Sequence, residues 1–247
     1  MFTLDRKLSP DEFIQTFQDI NRKDHQRPLH PWEELFREGK CTKDHLQGWA
    51  KDRFYFVRQV PTKEYSILYN CPYPEVRRQW LPKAIEEEGE DLIGKEHLPH
   101  PEYWLWLCEA LGLSKEFVRK SDPLPGVKCA VDAFCQIAFK AWILGVAVSE
   151  GQDTAKAMTR DLEVFRKHYQ WVPDDALEFY KLHSEVDMDH GKLRLDILAK
   201  HATTREIQED CINAQIIKNN MRRVMVDAIY MAYVVKGITC HTKEPWE

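Results

Sequence analysis

The sequence predicts an all-α, single-domain fold over residues 1–247. Three observations predict it: apolar residues recur at helical spacing along almost the whole chain, two helix-start signatures stand far apart, and no alternating strand pattern competes. The first helix, expected over 10–22, is announced by Ser9-Pro10-Asp11-Glu12, a capping box with proline at the first helical position, where a missing N–H is no loss. Helices follow over 30–38 and 43–60. The turn chemistry of Asn70-Cys71-Pro72 precedes a helix over 74–88, and Leu98-Pro99-His100-Pro101 reads as a loop entering one over 101–112. Ser121-Asp122-Pro123-Leu124-Pro125-Gly126 separates these from a long helical stretch over 125–168 that contains a break, followed by 174–200. Thr203-Thr204-Arg205-Glu206 repeats the capping box and opens the last helix, 204–236. Long helices with short connections describe an up-and-down bundle, an architecture that builds metal sites in its core from facing helices.

Composition limits what such a bundle can serve. A hydrophobic fraction of 43% with 8 Trp, 11 Phe and 9 Tyr supplies one large core. The net charge of -5 gives no electrostatic reason to bind nucleic acid or anionic lipid. The 7 Cys are odd in number with no C-x-x-C spacing, and the N-terminus shows no basic stretch followed by an apolar run, so a reducing cytoplasm is expected. The nearest approach to a membrane span, Ala141 to Val148, is far too short to cross a bilayer.

One short run carries chemistry. In His183-Ser-Glu-Val-Asp187-Met-Asp-His190 the three named side chains lie four and seven residues from the first, offsets that return to one face of a helix at about 100° per residue. That face is half of a metal site; the ordinary alternative is a solvated face, since Lys181, Glu185, Asp189 and Lys192 share the segment. Glu150 follows the apolar run Trp142-Ile-Leu-Gly-Val-Ala-Val148, and a buried carboxylate is costly unless paired or metal-bound. Glu87 competes with Glu86 and Glu88 at a helix end, and His100 competes with His97. On the C-terminal helix Lys218 falls in an apolar stripe with Ala214, Met221, Met225, Ala228 and Ala232, where it either snorkels or pairs with an internal carboxylate, or else anchors a substrate anion.

Several motifs resemble one family: Leu46-Gln-Gly-Trp-Ala-Lys-Asp-Arg53-Phe-Tyr55-Phe56, Asn70-Cys-Pro72, Arg77-Arg-Gln-Trp80, Leu124-Pro-Gly-Val127, Val131-Asp-Ala133 and Val226-Asp-Ala228. The chain is similar to the pyrroloquinoline quinone synthase family, which implies a heme-oxygenase-like helical bundle, a superfamily that also holds thiaminase-like proteins and non-heme di-iron oxidases and oxygenases. The synthases work without metal and use His and Arg around an acidic substrate. Here Glu87 stands where one such His is expected and Tyr180 where one Arg is. The pattern resembles the di-iron branch instead, which implies Glu87, His100 and His190 on one ion, His183 and Asp187 on the other, and Glu150, expected on the next long core helix, shared between them. Three carboxylates and three neutral imidazoles would nearly neutralise two ferrous ions, and mixed nitrogen and oxygen donors suit Fe, with Mn an alternative at one position, better than a thiolate zinc site.

The resemblance further implies O₂ as co-substrate, an external reductant, a homodimer, and a small, carboxylate-bearing substrate held by Lys218 with Arg53 and Tyr55. Cys135 would be a nucleophile only on a thiaminase-like reading; its setting, Phe134-Cys-Gln-Ile-Ala-Phe139, is that of ordinary core. In self-sacrificing relatives that make para-aminobenzoate, the consumed Tyr aligns with Glu33 and the required Lys with Arg160, so that reaction is not expected of this chain. The rival readings are a metal-free, quinone-synthase-like oxidase and a non-enzymatic interaction protein on the same bundle.

Overall fold

A computed structural model describes residues 1–25, 27–89 and 97–236, apart from the side chains at 25, 152 and 185–190. Among the described residues the elements are helices and turns. They are α1 (Pro10–His25), α2 (Pro31–Arg37), α3 (Lys43–Asn70), α4 (Pro74–Glu87), α5 (His100–Ala110), α6 (Lys115–Lys120), α7 (Pro125–Lys140), α8 (Trp142–Val148), α9 (Gln152–His168), α10 (Glu178–His201) and α11 (Arg205–Tyr230). A short 3₁₀ turn, Asp174–Leu177, leads into α10, and a π-helical turn, Met231–Val235, ends α11.

The capping box at the start of α1 forms as expected, with Glu12 N–H donating to Ser9 Oγ at 3.3 Å and Ser9 N–H to the Glu12 carboxylate at 2.9 Å. The late one forms one residue further on: Thr204 caps α11 by accepting from Ile207 N–H, so Glu206 is not its reciprocal partner. Two expectations change more. Pro61 does not end α3, which runs on to Asn70 because Val57, Val60, Ile67 and the proline itself are all buried along it, an apolar seam that outweighs one missing hydrogen bond. The stretch 125–168 is three helices, broken first at Ala141, whose extended backbone turns the chain, and again over 149–151. The short α6 was missed, being little more than one turn capped by Ser114.

α3 runs through the middle of the bundle, packing on α4, α5, α7 and α8, while α9 lies along α10 and α11 covers α1, α7 and α8. Two apolar clusters result. The larger joins Trp32, Phe36, Trp49, Trp104, Phe165, Tyr169 and Tyr180, whose rings stack or meet edge to face; the smaller joins Phe13, Phe17, Ile67, Trp80, Val146 and Ile212. A set of buried polar residues belongs to neither: Lys63, Glu64, Lys83, Glu87, His100, Ser149, Glu150, His183 and Lys218. They come from six different places in the chain, which is how a bundle concentrates chemistry that no single helix could carry.

The second break is held where it is by close packing of α8 on α3 and α7. A side chain at Gly145 would begin 2.6 Å from Ile67 Cγ1 and 3.1 Å from Ala138 Cβ, all three residues being buried. Gly145→Val should therefore destabilise the protein by about 1–3 kcal/mol, seen as a lower urea midpoint with unchanged slope. An unchanged midpoint would show that α8 is free to shift.

Candidate metal centre

The end of α4 and the start of α5 are brought together by a glycine. Gly89 has φ +98, and the His97 N–H donates to its carbonyl at 3.0 Å; a Cβ there would meet the His97 carbonyl oxygen at 2.5 Å. The chain thus returns beside Glu87 just before α5 begins with His100. Of the three consecutive glutamates only Glu87 is buried, Glu88 being exposed, and its Oε2 lies 2.9 Å from His100 Nδ1. His97 stays outside, its Nδ1 at 3.0 Å from the Leu98 carbonyl and its ring 6.0 Å from that of His100.

His183 comes in from α10. Its ring meets the His100 ring edge on at 4.7 Å, and its Nδ1 lies 2.8 Å from the Phe179 carbonyl oxygen. A carbonyl can only accept, so Nδ1 donates, and when the ring is neutral Nε2 is its ligating atom. Donor atoms of Glu87, His100 and His183 all lie within 4.8 Å of one another, and all three residues are buried. Burial alone would raise the Glu87 carboxyl, but His100 and then His183 outweigh it and hold the group below the usual carboxylate range. The centre therefore offers an anionic oxygen and two imidazoles inside the protein, a donor set that could hold a divalent transition-metal ion. The Asp187 and His190 side chains lie outside the described residues; both positions are on α10, one and two turns beyond His183.

Glu150 is not in this cluster, nor on a helix as the sequence suggested. It stands in the 149–151 link between α8 and α9, buried, with Oε2 accepting from Thr154 Oγ1 at 2.5 Å and from Arg222, while the Lys218 ammonium stands 3.6 Å from Oε1. Burial is again opposed by cations, Arg222 first and Lys218 next, and the Glu150 carboxyl is held well below its ordinary value. Oε1 is buried and accepts no hydrogen bond, leaving a carboxylate oxygen with capacity for a cation.

A cavity of about 410 Å³ opens beside Glu150 between α2, α9 and α11. Its walls carry eight cationic side chains against four acidic ones, and Lys218, Arg222, Arg194 and Arg53 are among them. Arg53 lies over the Trp49 and Trp104 rings, at 5.9 and 5.5 Å. Lys218 donates to the Ser149 carbonyl at 2.9 Å; burial holds its ammonium well below the ordinary lysine range, with Glu150 opposing. So Lys218 both pairs internally and faces the cavity. Tyr55 does not line the cavity: two residues from Arg53 on α3, it points elsewhere, its hydroxyl donating to Asp132 at 2.6 Å. Glu33 and Arg160 are also on the cavity wall.

The sequence reading missed a fully buried charged group next to these. Glu64 accepts from Trp80 Nε1 at 2.8 Å and Ser149 Oγ at 3.2 Å, with Lys63 Nζ at 2.8 Å and Lys83 Nζ at 3.3 Å. Lys63 and Glu64 lay beyond the expected end of α3, so no helical face was assigned to them. Lys83 and Arg222 were more accessible, standing one turn from Glu87 and Lys218 respectively.

Residues 15–219 match the TENA/THI-4/PQQC family. The chain belongs to that family. It is 31% identical over 246 residues to the pyrroloquinoline-quinone synthase of Cronobacter sakazakii, covering 97% of this chain and 94% of that one. In fold, this TENA/THI-4/PQQC member is similar to a domain of unknown function with a heme oxygenase-like fold from Shewanella denitrificans (TM-score 0.70, 14% identity, 93% and 94% covered). It is similar as well to a CADD-like protein of unknown function from Nostoc punctiforme (TM-score 0.72, 12% identity, 91% and 99% covered). The all-α, heme-oxygenase-like bundle expected from the sequence is therefore the fold of this chain.

The Glu64 group gives a pH test. Burial would raise its carboxyl, but Lys63 and Lys83 prevail and hold it at about 2. Because the folded value is depressed, its contribution is complete above the unfolded carboxylate pKa of about 4.3 and is lost as pH falls toward 2. Glu64→Gln, which leaves two buried lysines facing a neutral amide, should cost about 3–5 kcal/mol at pH 7 and less as pH falls through that window. A cost that does not change with pH would refute the pairing.

Proposed function

We propose that this protein is an O₂-dependent non-heme di-iron oxidase or oxygenase acting on a small, carboxylate-bearing substrate. The observation that carries the reading is the buried Glu87, His100 and His183 cluster, with donor atoms within 4.8 Å of one another and the His183 ring oriented by its bond to the Phe179 carbonyl. Glu150 Oε1, which accepts no hydrogen bond, adds a further oxygen, and the expected Asp187 and His190 complete the set of six. Bound ferrous ions, with manganese an alternative at one position, would supply the electrons for reduction of O₂.

The chain's own groups do the rest. The depressed Glu87 carboxyl stays anionic across the neutral range, so no proton has to leave before it can act as a ligand. Apolar packing of Phe179 and Trp104 against the His183 side of the centre excludes water. On the cavity side, Lys218, Arg222 and Arg53 supply positive charge for a substrate carboxylate, with Arg53 held in place by the two indole faces. A homodimer and an external reductant belong to the same proposal.

A second reading is favoured by the identity with the Cronobacter synthase over nearly the full chain: a metal-free oxidase with the same cation-rich cavity. One titration separates the two. Anaerobic addition of Fe(II) should reach about two ions per chain, and His183→Ala should lose about one of them. Wild-type protein that binds no iron or manganese above background would decide for metal-free oxidation.

A further inference from the structure

The Glu150 carboxylate is claimed from two directions. Its Oε2 accepts from Arg222 and Thr154, and Lys218 stands by Oε1, which accepts no hydrogen bond. On the reading above, the same carboxylate is also a ligand.

The side chain of Arg222 is 40% exposed and stands on the cavity wall, whereas Glu150 is almost wholly enclosed. An ion pair of this kind stabilises the carboxylate where it is, since moving the acid away from the guanidinium leaves it without its strongest partner. We infer that Arg222 is an internal competitor of the metal for Glu150, a latch on Oε2 whose charge lowers metal affinity at that carboxylate. This rests on the di-iron reading only in taking Glu150 as a ligand. Arg222 and Lys218 also line the cavity, where they can attract an anion. An anion that draws Arg222 from Glu150 would strengthen metal binding, and by linkage metal would strengthen anion binding by the same factor.

The test is a double-mutant cycle read by metal affinity, with Mn(II) as probe and the free aqueous ion followed by electron paramagnetic resonance. Arg222→Gln should tighten Mn(II) binding about ten-fold, Arg222→Lys should tighten it less, and Glu150→Gln should weaken it. In the Glu150→Gln background, Arg222→Gln should add no tightening. Far-UV circular dichroism on each variant keeps folding separate, and the half-exposed Arg222 is a site where substitution is tolerated. Unchanged or weaker binding in Arg222→Gln overturns the latch, as does equal tightening in both backgrounds, which would make Arg222 a diffuse charge only. Failure of folded wild-type protein to bind either Mn(II) or Fe(II) would instead remove the di-iron reading itself.

Discussion

Three buried carboxylates, each met by positively charged or proton-bearing partners, organise the polar interior of this bundle. Glu64 is met by Lys63 and Lys83, Glu150 by Arg222 and Lys218, and Glu87 by His100. Burial opposes ionisation at each of the three, yet each is held below the ordinary carboxylate range, so the cationic partners prevail throughout. The three differ in how complete the pairing is. Glu64 is enclosed by two ammonium groups, an indole N–H and a hydroxyl, the environment of a structural anion. Glu150 retains an oxygen with no hydrogen bond, and Glu87 faces imidazoles, which can exchange a proton for a metal ion.

This gradation places the chemistry. The Glu64 group ties α3 to α4 and to Ser149, and so fixes the link on which Glu150 stands. Ser149 in turn gives its carbonyl to Lys218, connecting the structural ion group to the cavity. A change at Glu64 would therefore reach the Glu150 side of the proposed centre through Ser149, although Glu64 is not assigned as a ligand. The positive charges of the cavity are partly balanced from within by Glu150 and partly on its wall, where Arg27, Arg37 and Arg160 pair with Asp24, Glu33 and Asp161.

Much of this was legible in the residues, and the failures have physical reasons. Capping chemistry at Ser9 and the turn at Asn70-Cys71-Pro72 marked real boundaries, because those signals are local. The continuation of α3 past Pro61 and the two breaks after α7 depend on what packs against them, which no local signal reports. Glu87 could not be told from Glu86 and Glu88 by composition, nor His100 from His97; burial and the Gly89 turn make those distinctions. Tyr55 failed as a cavity residue because two steps along a helix turn a side chain to another side, a point the spacing from Arg53 already contained. Glu64 escapes notice because Trp80, Lys83 and Ser149 reach it from sixteen or more residues away, and because it and Lys63 lie beyond the expected helix over 43–60.

Whether Glu87, His100 and His183 converge to hold metal can be read by diffraction from protein crystallised after anaerobic Fe(II) loading. Data collected on both sides of the iron absorption edge should show anomalous density among these three side chains, with a further peak on the Glu150 side. Density confined to the surface, or none beside a well-ordered Glu87, His100 and His183, would contradict a metal-holding role.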